Sequence, residues 1–275
     1  MNRLDGKYAV VTGGSQGLGA AIVRRFAEAG CAGVVTCARG VEKGAAVADA
    51  IARDTGVPVH FVAADLARVE DCRAVIAEAD ARFGRLDVLV NAAGVTDRGD
   101  LLHTSPELYD RIMAVNMRAP FFLMQEAVRI MIRENAEGSV VNIGSTSSRA
   151  GQPFIAAYCA SKGGLATLTR NAAFALLRNR IRVNQLDIGW MASDGEDRIQ
   201  REYHGAADDW LERASAEQPF GRLVQPEEVA RAAAFLASED SGLMTGAVIQ
   251  FDQSVWGGYE SGAPHPAAPL TLRAR

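Results

Sequence analysis

Cysteine and histidine are scarce in this sequence, with 4 of each in 275 residues. The cysteines have neither the C-x-x-C spacing of zinc and redox sites nor the density of a disulfide-stabilised scaffold. The histidines do not show the H-x-x-x-H spacing of a helical metal site. These absences predict reduced, mostly buried thiols and no bound metal ion.

The sequence also lacks a long apolar run and a strong excess of either charge. No stretch approaches the roughly 18 apolar residues of a membrane-spanning helix, and the N-terminal segment has no apolar region followed by a small-residue cleavage site. The formal charge of −4 and the pI near 5.7 provide no basic stripe for nucleic acid or anionic lipid. We therefore expect a cytoplasmic protein that binds a small molecule, and neither nucleic acid nor a membrane.

Short apolar runs alternate with long alanine-rich amphipathic stretches, as in consecutive βαβ units. The runs are almost continuously apolar, which is typical of strands covered by helices on both faces. The pattern predicts strands at about 7–12, 33–38, 58–64, 87–91, 138–144, 181–188 and 247–252. It predicts helices near 17–30, 41–55, 67–83, 106–134, 154–179 and 226–238. The predicted fold is α/β: a Rossmann-like, doubly wound parallel sheet of seven strands with helices on both faces.

The length and composition are compatible with one α/β domain, to which we assign residues 1–257. Residues 194–220 are polar and highly charged, and they form either a lid or substrate loop or a merely solvated pair of helices. The tail, 258–275, is rich in Gly, Pro and Ala and has no periodicity. Near this boundary, Trp256 and Tyr259 are expected to pack at a subunit contact or to close a pocket.

A glycine-rich turn, TGGSQGLG, connects the first predicted strand to the first predicted helix. Without side chains in the turn, backbone N–H groups can approach a diphosphate, and the helix N-terminus adds the positive end of its dipole. A strand before the turn and an amphipathic helix after it are the context that a dinucleotide site requires. The spacing is G-x-x-x-G-x-G, so the turn predicts a dinucleotide cofactor in a variant of the common fingerprint.

That spacing, with NAAG at 91–94, a serine at 145 and YCASK at 158–162, resembles the short-chain dehydrogenase/reductase family. The resemblance spans residues 6 to about 255 and favours the sugar and polyol dehydrogenases among its members. It implies an NAD(P)-dependent oxidoreductase that interconverts a secondary alcohol and a ketone by hydride transfer. It also implies a homotetramer built on the helices at 106–134 and 154–179 and on the last strand.

The resemblance implies a set of cofactor-binding residues, in several groups. The turn contributes residues around the diphosphate and the adenosine ribose, namely Gly13, Ser15, Gln16, Gly17, Leu18 and Gly19. The adenine edge and ribose would contact Asp65, Leu66, Asn91, Ala92 and Gly94. The nicotinamide end would contact Tyr158, Lys162, Gly189 and Ser193. Asp65 is also expected to cap the helix that follows it.

The choice between NAD and NADP depends on the end of the second strand. An acidic residue there binds the ribose hydroxyls of NAD, whereas an arginine accommodates the 2′-phosphate of NADP. Ala38 stands where the acid is expected, and Arg39 follows it. Gln16 weakens the argument, because NADP-preferring relatives often have a basic residue at that position. The sequence therefore favours NADP slightly and leaves NAD open.

Tyr158 and Lys162 are four residues apart in a predicted helix, so their side chains share one face. An adjacent ammonium favours the phenolate, and Tyr158 is the predicted general acid and base. The resemblance implies that Ser145 hydrogen-bonds the substrate oxygen, and that Asn116 holds a water that links Lys162 to solvent. The predicted catalytic set is Asn116, Ser145, Tyr158 and Lys162.

The segment VNQLDIGWMAS departs from the family pattern, because Ile188 stands where proline usually precedes Gly189. The predicted substrate contacts are Ser145, Ser147, Gln152, Tyr158, Trp190 and Met191, with Thr96 in the wall and Asp194, Glu196 and Asp197 at the lid. Such a polar wall favours a sugar or polyol. The alternatives are a 3-oxoacyl thioester or other ketone reductase, or a dinucleotide-binding regulator without catalysis.

Overall fold

The structure, a computed structural model, describes residues 3–256, 258, 268, 270 and 271. Its strands are β1 (Tyr8–Thr12), β2 (Gly33–Ala38), β3 (Val59–Ala63), β4 (Val88–Asn91), β5 (Ser139–Ile143), β6 (Arg182–Ile188) and β7 (Val248–Phe251). They form a parallel sheet in the order β3-β2-β1-β4-β5-β6-β7, which confirms the predicted doubly wound topology. The order reverses between β1 and β4, and ligands of such sheets bind beyond the carboxyl ends of strands at this point.

The helices are α1 (Gly17–Glu28), α2 (Val41–Thr55), α3 (Val69–Phe83), α4 (Pro106–Met113), α5 (Ala119–Arg133), α6 (Ala156–Leu176), α7 (Asp194–His204), α8 (Trp210–Ala216) and α9 (Pro226–Ala237). One apolar core lies between the sheet and helices α1, α2 and α9. The second lies on the opposite face, under α3, α5 and α6. Burial on both faces explains why the strands are almost continuously apolar.

The single helix predicted over 106–134 is wrong, because the structure divides it. A π-helical turn, Ala114–Arg118, separates α4 from α5. Pro120, near the start of α5, has no N–H to donate within a continuous helix, and Asn116 hydrogen-bonds outside the helix instead. π-Helical turns of this kind are frequent at functional sites.

The expected role of Asp65 as a helix cap is also wrong. Helix α3 begins only at Val69, and Arg68 stands at its N-cap. Asp65 instead accepts a hydrogen bond from the Ala67 backbone N–H at 3.1 Å, within the turn that follows β3. A carboxylate that binds the amide two residues onward makes an Asx turn, so this side chain shapes the loop.

Residues 194–220 contain the two helices α7 and α8, which belong to one small structural unit. Trp210 and Ala214 of α8 pack with Leu223 in a minor apolar cluster. The indole of Trp210 also stacks on that of Trp190, with ring centroids 6.3 Å apart. The segment is therefore an ordered helical pair attached to the end of β6, and we call it the lid.

The predictions for the C-terminal tail, 258–275, and for Tyr259 fall almost entirely outside the described residues. Trp256 is described, and the Arg149 guanidinium lies over its ring, with Cζ 5.8 Å from the centroid. Across the part of the chain that is described, no helix combines the length and apolar character that a membrane crossing requires. The same residues contain no cluster of three potential metal ligands.

Candidate active site

The glycine turn after β1 is packed backbone against backbone. Gly13 has a φ of +78°, which favours glycine, and a Cβ on this residue would lie 3.1 Å from the Ala93 Cα. A Cβ on Gly19 would collide with the backbone of Gly13. Gln16, at the N-cap of α1, makes no capping hydrogen bond, and the first turn of the helix has no acidic residue. The turn therefore leaves helix N-terminal amides available for an anion such as a diphosphate.

Several residues predicted to bind the cofactor can reach it only through their backbones. The side chains of Leu18 and Leu66 are buried in the two apolar cores. Ala92 and Ala93 both donate their backbone N–H groups to the Thr12 hydroxyl at 3.0 Å, which ties the end of β4 to the end of β1. The predicted cradle for a dinucleotide is thus formed by main chain at the ends of two neighbouring strands.

Two more of the residues predicted to bind the cofactor, Gly94 and Ser193, lie after β4 and after β6. A methyl group built on Gly94 would lie 3.4 Å from the Asn116 Oδ1 and 3.7 Å from the Lys162 Nζ, so this glycine touches the predicted catalytic set. A Cβ on Gly17 would lie 3.8 Å from the Ser193 Cβ, which brings the start of the lid to the glycine turn. The structure therefore gathers the predicted diphosphate and nicotinamide residues along one cleft.

The adenosine end of this cleft has two positive side chains. Arg39 is exposed just after β2, and no hydrogen bond or ion pair joins it to another described residue. Lys43, in the first turn of α2, donates from Nζ to the Gln16 Oε1 at 2.5 Å. Lys43 was not predicted from the sequence, although it lies four residues after Arg39, which directly follows β2.

The predicted catalytic residues lie together at the ends of β5 and α6. The Ser145 hydroxyl accepts the Ser147 backbone N–H at 3.1 Å, and it acts on Tyr158, whose pKa it lowers. Lys162 is buried, its Nζ donates to the Ile143 carbonyl at 2.8 Å, and Nζ lies 5.7 Å from the centroid of the Tyr158 ring. The Lys162 ammonium therefore faces the Tyr158 ring, as the four-residue spacing predicts, while its hydrogen bond goes to the Ile143 carbonyl.

The two side chains have opposite pKa shifts with the same cause. Burial raises the pKa of Tyr158 to about 12, although its hydrogen bond to Ser145 opposes the rise. Burial lowers the pKa of Lys162 to about 8, and the carboxylate of Asp187 opposes that fall. For the polypeptide alone, desolvation outweighs the attraction by which an ammonium would lower the pKa of the phenol. Additional positive charge beside Tyr158 is therefore needed before it can act as a base near neutral pH.

The Asn116 side chain fixes the loop after β4. Its Oδ1 accepts the Val95 N–H and its Nδ2 donates to the Val95 carbonyl, both at 2.9 Å. The Nδ2 also donates to the Ser161 hydroxyl at 3.2 Å. Both amide hydrogens are thus used within the protein, which leaves only acceptor positions for a water.

The predicted substrate residues are only partly brought together. Ser147 is buried beside Ser145, and Trp190 donates from Nε1 to the Glu196 Oε1 at 2.8 Å. Met191 forms an isolated bridge with Val224, so its backbone anchors the lid. Gln152, unlike the two buried serines, is exposed on the loop before α6.

The chain continues its strand where the family pattern has proline. Ile188 pairs with Phe251 at the end of the β6–β7 ladder, and the Gly189 N–H donates to the Phe251 carbonyl at 3.0 Å. A Cβ on Gly189 would collide with the Asp252 carboxylate. Gly189 is therefore packed against Asp252, and its expected contact with the nicotinamide stays a prediction.

The far end of α7 reaches across to the loop that follows β4. The Tyr203 hydroxyl lies 3.3 Å from the Asp97 Oδ1, and the Arg98 Nε lies 3.2 Å from the His204 Nε2. Phe154, before α6, packs edge-on against His204 with centroids 5.3 Å apart. Thr96 contributes its carbonyl, which accepts from the Arg98 Nη1 at 2.8 Å. The lid thus spans the cleft between the ends of β4 and β6.

Comparisons with known proteins give the same result along most of the chain. The family model described as enoyl-(acyl carrier protein) reductase matches residues 13–258. An uncharacterised oxidoreductase of Mycobacterium tuberculosis is 40% identical over 254 residues, which cover 92% of this chain and 93% of that protein.

Two relatives have named activities. Galactitol 2-dehydrogenase of Agrobacterium fabrum is 30% identical and covers 92% of this chain and 99% of its own length. The 3-oxoacyl-[acyl-carrier-protein] reductase of Staphylococcus aureus is 32% identical, and the match covers 91% of this chain and 98% of that protein. The two relatives act on different classes of substrate, so they agree on redox chemistry between alcohols and ketones and not on the substrate.

Among solved structures, a candidate short-chain alcohol dehydrogenase from Sinorhizobium meliloti 1021 superposes with a TM-score of 0.83. It is 34% identical in sequence, and the match covers 92% of this chain and 97% of that one. The identity and the coverage are high enough to place both chains in one family. This protein belongs to the short-chain dehydrogenase/reductase family, and it is an oxidoreductase of the alcohol and ketone class that uses NAD(P).

Proposed function

We propose that the protein interconverts a secondary alcohol and a ketone on a sugar or polyol, with Tyr158 as the general acid and base. The observation that carries the proposal is the joined set of Ser145, Tyr158 and Lys162, which lies beside Gly94 at the end of the cofactor cradle. In this arrangement Ser145 donates a hydrogen bond to the substrate oxygen, where negative charge develops. Asn116 positions the loop that carries Gly94.

The residues present fit a nicotinamide dinucleotide. The uncapped N-terminus of α1 and the backbone cradle of Gly13 and Gly19 suit the diphosphate, since any side chain there would fill the space. When bound, the dinucleotide supplies the hydride acceptor or donor, and its oxidised ring is positively charged. Tyr158 accepts the hydroxyl proton at its Oη during oxidation and returns it during reduction. Lys162 supports the phenolate from the same face of α6.

The substrate class follows from the polar wall at the start of the lid. Glu196 accepts hydrogen bonds at Oε1 from Trp190 at 2.8 Å and from Gln200 at 2.7 Å. Its charge reaches the cleft, since it contributes to the raised pKa of Tyr158. We assign Glu196 as an acceptor for substrate hydroxyl groups, which suits a neutral polyol and disfavours an anionic substrate. The sequence placed this residue only at the lid.

The 3-oxoacyl thioester reductase is the competing function, and its support is the similarity to the Staphylococcus aureus enzyme and the matched family. The decisive experiment is a spectrophotometric screen of polyols, sugars and 3-oxoacyl thioesters with both dinucleotides. We expect turnover of a polyol, and loss of about 10³-fold or more in kcat with Tyr158→Phe while dinucleotide binding persists. A Tyr158→Phe enzyme as fast as the parent, or turnover of thioesters only, would reject the proposal.

NADP is the proposed cofactor. Arg39 is unpaired among the described residues at the end of β2, Ala38 replaces the acidic residue that NAD requires, and Lys43 adds a second positive charge nearby. Arg39→Asp is expected to reverse the preference towards NAD by about tenfold in kcat/KM, because a carboxylate repels the 2′-phosphate. Arg53→Asp, on the exposed end of α2, is the matched control for charge. Equal preference in Arg39→Asp and the parent would remove the argument for NADP.

We also propose a homotetramer of single-domain subunits, with residues 1–257 as the domain and 194–220 as its substrate segment. Large apolar side chains are exposed on α5 and α6, including Phe121 and Phe174, which suits burial between subunits. Light scattering tests this, and a monomeric mass would reject it. A cytoplasmic location is supported by four cysteines that are all free thiols.

A further inference from the structure

A continuous hydrogen-bonded chain runs beneath the active site, from the end of β4 to the end of β6. Asn91 donates to Asn142 at 2.8 Å, and Asn142 donates to Thr169 at 2.9 Å. Thr169 donates to Gln185 at 3.2 Å, and Gln185 donates to the Asp187 Oδ1 at 2.6 Å. Thr169 belongs to α6, and the other four residues belong to strands. All five are buried. Every donor points the same way, so the aligned dipoles reinforce one another towards Asp187.

Asp187 holds the backbone at the predicted catalytic serine. Its Oδ1 also accepts the Ser145 N–H at 3.1 Å, and its Oδ2 accepts the Ser148 hydroxyl. Gly144 leaves room for this arrangement, because a Cβ there would collide with the side chains of Asp187 and Gln185. A group that accepts three hydrogen bonds and donates none is suited to the ionised carboxylate.

The charge of Asp187 reaches both titrating residues of the site. It raises the pKa of Lys162, against the fall that burial causes, and it raises that of Tyr158. The other side chains that raise the pKa of Tyr158 are Cys159, its neighbour on α6, and Glu196 from the lid, whereas Ser145 lowers it. For Lys162, Asp187 is the single charged group that opposes burial among the described residues.

We propose that Asp187 is a positioning residue, oriented by the hydrogen-bonded chain, which fixes the Ser145 backbone and supplies a buried negative charge that acts on Lys162. The inference rests on the proposed function, and it deepens it by naming the residue through which β6 sets the protonation state of the site. Asp187 acts through Ser145 and Lys162 and is not itself assigned a contact with substrate.

Three variants separate the charge from the hydrogen bonds. Asp187→Asn keeps an acceptor for the Ser145 N–H and removes the charge, whereas Asp187→Ala removes both. Ser148→Ala removes one hydrogen bond and keeps the charge, so it is the matched control. We expect kcat to fall about tenfold or more in Asp187→Ala, and to stay within about threefold of the parent in Asp187→Asn at its own optimal pH.

The effect of the Asp187 charge on the titration of Lys162 can be measured without turnover. This is practical because the sequence has only three lysines, Lys7, Lys43 and Lys162. In protein labelled with ¹³C at lysine Cε, the variant Lys7→Arg/Lys43→Arg retains a single resonance, that of Lys162. Asp187→Asn is expected to lower the midpoint of its titration by about half a pH unit or more, since burial then acts unopposed. Ser148→Ala should leave this midpoint within about 0.2 unit of the parent's.

The pH profile of alcohol oxidation should shift in the same direction, because removal of the negative charge lowers the pKa of both Lys162 and Tyr158. Equal Lys162 midpoints in the parent and a folded Asp187→Asn would overturn the proposed effect of the Asp187 charge. Unchanged kcat in Asp187→Ala would overturn the positioning of Ser145. A parent without turnover on any alcohol would instead reject the proposed function, while the lysine titration would still decide the role of the Asp187 charge.

Discussion

The glycine turn after β1 and the lid after β6 line one cleft, yet they are held in place by different kinds of contact. The turn is fixed by main chain against main chain, as at Gly13 and Ala93. The lid is fixed by side chains that come from distant parts of the sequence, as between Tyr203 and Asp97. Backbone contacts allow few substitutions, whereas side-chain contacts can change with the ligand. The first region suits a cofactor shared across a family, and the second suits a particular substrate.

The two regions also differ in how much apolar surface anchors them. Helix α1 buries Leu18, Ile22, Val23 and Phe26 against the sheet. In α7 only Ile199 is buried, and in α8 only Trp210 and Ala214. Segments with little buried apolar surface open at a lower free-energy cost than the core does. We therefore expect the lid to open at a lower free-energy cost than the glycine turn does.

Among the changes that test this comparison, the largest effect is expected from a single methyl group in the turn. Gly19→Ala places a Cβ against the Gly13 backbone, which cannot give way as a flexible side chain could. We expect the dinucleotide to bind about 100-fold more weakly, measured by quenching or transfer of NADPH fluorescence. Gly40→Ala is the matched control, because a Cβ at Gly40 meets no atom within 4 Å. Equal affinities in the two variants would contradict the description of the turn.

Local sequence patterns were enough to predict the sheet, the glycine turn and the shared helix face of Tyr158 and Lys162, whereas Ser145 was assigned through the resemblance to the family. Strand ends and the four-residue spacing on α6 are local features, and parallel topology brings the carboxyl ends of strands together. The π-helical turn at Ala114–Arg118 was not predictable in this way. It depends on hydrogen bonds between Asn116 and Val95, which is 21 residues earlier in the chain.

Asp187 was missed for a similar reason. An acidic residue within the strand VNQLDIG is an anomaly in the sequence, but its partners Ser145 and Ser148 become neighbours only when β5 pairs with β6. Glu196 was placed at the lid, and only the structure gives it the hydrogen bonds from Trp190 and Gln200. Long-range side-chain contacts therefore account for most of what sequence patterns left out.

Glu196→Gln tests the lid side of the comparison. Glutamine keeps an acceptor for Trp190 but replaces a charged acceptor by a weaker one, so kcat/KM for a polyol should fall about tenfold. The kcat/KM for a monohydric secondary alcohol should fall much less, and the affinity for the dinucleotide should not change. Glu202→Gln, the same change on an exposed position of α7, is the control. A loss of equal size for both alcohols would show that Glu196 does not recognise hydroxyl groups.

The smallest effect concerns the stability cost of the buried ammonium, which lies between the two regions. Because burial lowers the pKa of Lys162 to about 8 from its ordinary value of 10.5, the unfolded chain binds more protons than the folded one between these values. The free energy of unfolding therefore increases with pH between these two pKa values, and Lys162→Met removes this increase. From pH 7 to pH 9, urea unfolding should show the parent gaining about 1 kcal/mol relative to the variant. The buried thiols act in both proteins and cancel in this difference, so parallel pH curves would mean that Lys162 titrates normally in the folded state.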